Sequence, residues 1–172
     1  GYTIQEDLGD NTLLSKLSKT TTKDSEYNTY KEAIDELVKI HSTDTNNYLD
    51  KNFTKLFFDE EKLMWEVNFA LEYFVQNFLE HKFSPEELAL IRKSYSEICS
   101  KLASQFMVLT HRDFHARNIM IKNSELVFID FQDSRMGIPQ YDLVSLLEDC
   151  YYQLDKDNVD KVEFNITDKK FM

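Results

Sequence analysis

Glycine and proline are scarce, three and two in 172 residues. A fold of many short strands needs turn residues throughout, so a turn-rich all-β architecture is excluded and helices should dominate. Cysteine is equally rare. Cys99 and Cys150 both fall inside helix-patterned stretches, which reads as two reduced thiols and not as a disulfide framework. Positive charge is in deficit: 20 Lys and Arg stand against 31 Asp and Glu, for a net charge of −11. Such a surface repels phosphate backbones and anionic headgroups, so neither nucleic acid nor a membrane is expected as a partner. No apolar run approaches the roughly 18 residues of a bilayer span. No secretory leader is visible, and the expected location is the cytoplasm. The chain opens on Gly1 and not on Met, so further sequence upstream is expected.

What is present is a globular composition. Hydrophobic residues make up 42% and aromatics 13%, with 13 Phe and 9 Tyr. One domain is expected from the length, large enough to bury roughly 70% of its unfolded surface.

Taken in order, Tyr2 to Leu8 reads as a short strand running into Gly9-Asp10. Asn11 to Leu17 begins a short helix. From about Asp24 to His41, Tyr30, Ala33, Ile34, Leu37, Val38 and His41 recur at helical spacing on one face. His41 there reads as a packed or capping residue. Ser42 to Thr54 reads as a loop and Lys55 to Phe58 as an aromatic patch. Asp59 starts a second helix with Leu63, Val67, Ala70, Leu71, Phe74 and Phe78 on one face. Ser84-Pro85-Glu86-Glu87 is a capping-box start for a third, with Leu88, Ile91, Tyr95, Ile98 and Leu102 as its seam. The two helices are expected to pair antiparallel, with both stripes as core.

The chemistry concentrates between Thr110 and Asp142. T-H-R-D-F-H-A-R-N-I-M-I is followed by L-V-F-I-D-F-Q-D-S-R-M-G-I-P-Q-Y-D-L. Asp113, four intervening residues and Asn118 match the loop H-R-D-x-x-x-x-N of phosphoryl-transfer enzymes. In that loop the Asp receives the acceptor hydroxyl's proton and the Asn holds magnesium. Asp130 follows at the end of an apolar run, where a second metal-binding carboxylate is needed. Ile119 to Lys122 and Leu126 to Ile129 read as a hairpin turned at Asn123-Ser124. Phosphoryl transfer asks the protein for positioning and charge neutralisation more than covalent chemistry, and Mg²⁺ accepts one or two carboxylates plus phosphates and water. His111 and His115 stand four apart, but Arg112 occupies the place of the Glu in H-E-x-x-H, so zinc is not expected. After the hairpin, Phe131 to Gln140 reads as a loop. Asp142 is placed to cap a helix to about Leu154, and from Asp155 the chain turns polar.

These motifs resemble the aminoglycoside-phosphotransferase-like and choline-kinase-like superfamily of small-molecule kinases. More narrowly, H-R-D-F-H-A-R-N, I-D-F-Q-D-S-R-M-G, Y-D-L-V-S-L-L-E-D-C-Y and E-D-L-G-D at Glu6 to Asp10 resemble the anomeric N-acetylmuramate/N-acetylglucosamine kinases of bacterial cell-wall recycling. The resemblance implies a mainly helical α+β large lobe of a kinase-like fold, with a short hairpin beside the catalytic loop. It makes residues 1–10 the end of the small lobe and the hinge, and 11–172 the large lobe. It implies ATP and Mg²⁺, with Asp113 orienting the hydroxyl and Asn118 and Asp130 holding the metal. Backbone around Glu6, Asp7 and Leu8 is then at the adenine edge, unless this is an ordinary edge strand. Met120 and Ile129 are then at the pocket floor. His111, Arg117 and Asp142 support the loop by the same resemblance, with plain capping or packing as the alternative for His111 and Asp142. Arg112, Arg117 and Arg135 either serve a phosphate or an anionic sugar, or balance Asp133, Glu148 and Asp149.

Two departures from protein kinases stand out. D-F-Q replaces D-F-G, and no A-P-E follows, which fits a small-molecule kinase. No Gly-rich phosphate loop and no strand Lys are present. The expectation is therefore a lobe that needs its missing N-terminal partner and is by itself inactive. The expected acceptor is a sugar hydroxyl, with an aminoglycoside or choline as the alternative acceptor and a non-catalytic binding module as the alternative class. The acidic surface would suit a cationic aminoglycoside.

Overall fold

The computed structural model of the chain describes residues 2, 4–45 and 56–168. It is a mainly helical α+β protein that divides into two compact units. The first comprises Gly1–Asp44, Leu109–Ser134 and Pro139–Met172; the second comprises Thr45–Val108 and Arg135–Ile138.

The first unit carries the core. Thr12 and Ser15 form a capping box that starts α1 (Leu13–Leu17), whose Leu13 and Leu17 are buried. Thr22 accepts the Ser25 amide and starts α2 (Lys23–His41). Tyr30, Ala33, Ile34, Leu37 and His41 are buried on one face of α2, as their spacing predicts. Tyr30, Ala33, Ile34 and Leu37 join Phe114, Ile119, Leu146 and Leu154 in one apolar cluster. Each such side chain contributes about 1.5–3 kcal/mol of burial.

A short strand, β1 (Val108–Thr110), leads to the loop, and β2 (Ile119–Lys122) and β3 (Glu125–Phe128) follow. β2 and β3 pair antiparallel, Ile119 opposite Phe128 and Lys122 opposite Glu125. Asn123 and Ser124 both have positive φ, 51° and 68°. Two left-handed residues make the tight turn whose twist matches that of the strands. The second strand therefore starts one residue earlier than expected. Ile129 leaves the ladder, and its N–H donates to the Asn118 carbonyl at 3.0 Å.

In the second unit, the Asp59 carboxylate accepts the Lys62 amide at 2.8 Å and caps α3 (Glu60–Phe69). The helix continues to Phe78 in a wider π-helical form, with Leu79 N–H reaching back five residues to the Phe74 carbonyl. The Ser84–Glu87 box opens α4 (Pro85–Ala103). Arg92 bonds Asn68 and Ser96 bonds Glu60, so α3 and α4 run antiparallel as expected. The strand β4 (Arg135–Gly137), in a stretch expected to be loop, bonds through Met136 to Leu56 and Phe58.

Four expectations fail. Residues 2 and 4–8 form no strand, and Tyr2 and Ile4 are fully exposed. A strand needs a partner ladder, and among the described residues none lies beside it. The aromatic stripes are not core: on α3 and its continuation only Leu71 is buried, and Phe78 is 74% exposed. The π-helical step rotates each residue by less than an α-helix does, so a stripe spaced at three and four drifts off one face. On α4 only Cys99 is buried, and Ile98 of the expected seam is 50% exposed. The helix expected from Asp142 to Leu154 is α5 (Gln140–Leu147), with Pro139 before it and Asp142 inside its first turn. The polar tail after Asp155 is a helix, α6 (Lys156–Asp168). Its first turn is anchored by Asn158 and Asp155, which bond the buried Glu26 of α2. The expected loop at 42–54 lies outside the described residues from 46 onward, as does the start of the aromatic patch at 55. No helix among the described residues is long and apolar enough to cross a membrane.

Candidate active site

The loop from Thr110 to Asn118 is fixed from beneath. Thr110 and His111 are buried. The Asp142 carboxylate accepts the His111 amide through Oδ2 and the Arg112 amide through Oδ1, both at 2.8 Å. Its Oδ2 also accepts from His41 Nε2 at 3.1 Å. Asp142 was read as a helix cap from its position and as a support of the loop from the resemblance; its acceptors go to the loop's amides. Arg112 stands at φ 81° and Asp130 at φ 67°. This region is costly for any residue with a Cβ, about 1–3 kcal/mol each, and persists only where surroundings enforce it. The Asp142 fork supplies that enforcement at Arg112.

Asp113 is exposed, and its carboxylate makes no hydrogen bond among the described residues. Its carbonyl accepts the His115 amide and the Asn118 Nδ2 group, each at 3.0 Å. Phe114, fully buried, anchors the loop against Phe128 and the His111 ring. Asn118 donates its amide to the His115 carbonyl and accepts from the Ile129 amide. Thus Asn118 is tied on one side to Asp113 and on the other to the residue before Asp130. The Asp130 Oδ1 accepts from Gln132 Nε2. Burial lowers the pKa of His111 below 6.5, against the opposing pull of Asp142, the Ile129 carbonyl, Asp113 and Asp130. The imidazole is therefore neutral near pH 7 and adds no cation to the acidic cluster around it.

The structure thus brings Asp113, Asn118 and Asp130 to one end of the hairpin. An unbonded carboxylate can orient a hydroxyl. An amide oxygen and a carboxylate are hard oxygen donors of the type Mg²⁺ selects, and these residues fit that ion.

Beside them lies a cavity of about 440 Å³ lined by Gln5, Glu6, Leu8, Val127, Phe128, Ile129, Asp130, Phe131 and Gln132. Glu6, Leu8 and Ile129 therefore share one wall with Asp130. Asp7 does not line it: its carboxylate accepts the Gly9 amide, and its carbonyl accepts from Lys122 Nζ. Lys122 also pairs with Glu6. Met120 does not line it either. It is buried, at the β2 position that alternates with Ile119 of the core cluster and Ile121 packed against it. The guanidinium of Arg117 lies 4.7 Å over the Tyr151 ring, that of Arg112 lies 3.8 Å from Asp133, and that of Arg135 lies over Phe58.

Three features escaped the sequence reading. His41 was read as packing, and its bond to Asp142 has no sequence signal across 101 positions. Asp149 was read as a charge partner for arginine; it accepts the Ala116 amide instead, at 2.8 Å. The left-handed backbone at Arg112 and Asp130 carries no Gly to announce it.

This loop carries the residue spacing of phosphoryl-transfer enzymes. The phosphotransferase enzyme family (APH) matches residues 1–164, and the chain belongs to that family. It is 29% identical over 159 residues to the N-acetylmuramate/N-acetylglucosamine kinase of Neisseria meningitidis serogroup B, covering 92% of this chain and 46% of that protein. The enzyme of the same name from Caulobacter vibrioides is 29% identical over 158 residues, covering 87% and 42%. That from Pseudomonas putida is 26% identical over 151 residues, covering 88% and 42%. The chain therefore spans less than half the length of these relatives. Among solved structures, ADP-bound aminoglycoside phosphotransferase APH(2'')-Ib superposes with a TM-score of 0.57 at 24% identity, over 90% of this chain and 52% of that one. The gentamicin complex of APH(2'')-IIa gives 0.56 at 24%, over 90% and 51%. These two share the fold.

Proposed function

We propose that this chain is the catalytic-loop lobe of a kinase that transfers the γ-phosphate of ATP to the anomeric hydroxyl of N-acetylmuramate or N-acetylglucosamine. The observation that supports the reading is the tie between Asp113, Asn118 and Ile129, which links the residue bearing the exposed carboxylate to Asn118 and to the residue before Asp130. Residues 11–172 form the large lobe and 1–10 the hinge. A small lobe of the same protein supplies the phosphate-binding loop and lysine. The choice of sugar rests on the relatives' shared activity.

In this reading Asp113 accepts a hydrogen bond from the acceptor hydroxyl, orients its oxygen toward phosphorus, and takes the proton late, as befits a carboxylate of ordinary basicity. Asn118 and Asp130 would hold Mg²⁺, which when bound neutralises charge on the phosphates. Glu6, Leu8 and Ile129 form the wall available to the nucleotide base. Arg117 and the neutral His111 support the loop. The cytoplasm, where ATP is abundant, is the matching location.

The test is ADP release by the full-length protein offered N-acetylmuramate, N-acetylglucosamine, choline and an aminoglycoside, with Asp113→Ala as control. Turnover on the amino sugars alone, reduced about 10²- to 10⁴-fold in the variant, is the expected result. Turnover on an aminoglycoside keeps the mechanism and replaces the substrate; the acidic surface and the shared fold favour that second reading. No turnover, together with no Mg-ATP binding, leaves a non-catalytic module.

A further inference from the structure

The loop has a second hold, at its rear, which the proposed chemistry does not by itself require. Asp149 lies just past α5 and is 8% exposed. Its Oδ1 accepts the Tyr151 amide at 2.8 Å, which fixes the carboxylate's direction from within its own turn. Its Oδ2 accepts the Ala116 amide at 2.8 Å. The Ala116 carbonyl in turn accepts the Leu14 amide of α1 at 3.0 Å, so both faces of this fully buried residue are fixed. The Tyr151 ring meets the His115 ring edge-on at 5.2 Å and lies under the Arg117 guanidinium. Three consecutive loop residues, 115 to 117, are thus gripped by the turn at 149 to 151.

We propose that Asp149 is a positioning residue that sets the separation between Asp113 and Asn118. It rests on the phosphotransfer reading above. Asp142 fixes the loop at His111 and Arg112, ahead of Asp113. Nothing in that hold constrains the four residues leading to Asn118. The Asp149–Ala116 bond falls in the middle of them. Without it Phe114 still anchors the first half and Asn118 keeps its bond to the Asp113 carbonyl, but residues 115 to 117 between them lose their lateral hold, and the Asn118 side chain is set less precisely against the Asp113 carboxylate. Groups of this kind, bonded to the ligand-bearing segment and not to the ligand, typically change metal affinity or rate by about 10- to 100-fold.

The experiment compares the full-length protein with Asp149→Ala and Asp149→Asn. It reads kcat, acceptor KM, the Mg²⁺ concentration for half-maximal rate, and hydrogen exchange of the Ala116 amide. The expected result for Asp149→Ala is a kcat lower by about 10- to 100-fold, a raised Mg²⁺ requirement, an acceptor KM within about twofold, and faster Ala116 exchange. Asp149→Asn keeps one acceptor oxygen and falls between, and it carries the comparison alone if the alanine variant does not fold. Unchanged exchange and an unchanged Mg²⁺ requirement in the folded variants overturn the proposal. If the parent shows no turnover, the kinase reading falls separately. Exchange at Ala116 then decides: faster in Asp149→Asn keeps the clamp, unchanged removes it.

Discussion

His41 Nε2 donates to Asp142 Oδ2 at 3.1 Å, and neither side chain reaches solvent. The same carboxylate takes the amides of His111 and Arg112. One buried side chain therefore joins the end of α2, the start of α5 and the loop ahead of Asp113. Removing it strands three donors in a dry site. Asp142→Ala should cost about 3–5 kcal/mol, since each buried donor left without an acceptor costs about 1–3 kcal/mol. His41→Gln, which keeps a donor, should cost about 1 kcal/mol. Urea unfolding of the two variants checks the ranking.

The left-handed backbone at Asp130 gives a prediction free of catalysis. Alanine and glycine both remove the carboxylate proposed to hold Mg²⁺, but only glycine is at ease at φ 67°. Asp130→Gly should be more stable than Asp130→Ala by about 1–2 kcal/mol. Both should lose Mg-dependent nucleotide binding by titration calorimetry. Equal stabilities would show that the loop relaxes out of the strained conformation.

His111 makes stability depend on pH. Burial lowers its folded pKa below 6.5. Between the folded and unfolded values the unfolded chain binds the extra proton, so stability rises with pH there and is lost as pH falls below 6.5. The slope contributed by one such group is at most about 1.4 kcal/mol per pH unit. Unfolding midpoints of the parent should therefore fall more steeply from pH 7 to pH 5 than those of His111→Phe.

At the alkaline end the relevant group is Tyr152. Its hydroxyl donates to the buried Glu26 at 2.6 Å. Burial, then that bond and the Glu26 charge, push its pKa from 10 up to about 12. Above pH 10 the unfolded chain releases a proton that the folded chain retains, so stability falls as pH rises through this window. Tyr152→Phe should flatten the decline. It should also speed hydrogen exchange at the start of α6, since Glu26 tethers that helix through Asn158 and the Asp155 amide.

Much of the site was legible because its signals are local. The spacing from Asp113 to Asn118, the apolar run ending at Asp130 and the Asn123-Ser124 turn each lie within a few residues. The stripe on α2 and the boxes at Thr12 and Ser84 were legible for the same reason: a helix writes its buried face and its caps into short-range pattern. The failures were of another kind. Phe74 and Phe78 have core chemistry at core spacing, yet both stay exposed, as Ile98 does on α4. Asp142 has the chemistry of a cap, and only the resemblance, not its local pattern, pointed to the distant loop that takes its oxygens.

By itself, then, the sequence determined the chemistry: which carboxylates and amide stand at phosphotransfer spacing, on a mainly helical α+β scaffold. Tertiary structure alone decided how that chemistry is held. His41, Asp142 and Asp149 act on loop atoms about 30 to 100 positions away. A hydrogen bond is short and directional, and satisfying buried donors is compulsory, but which acceptor meets which donor is fixed only when the chain folds back on itself.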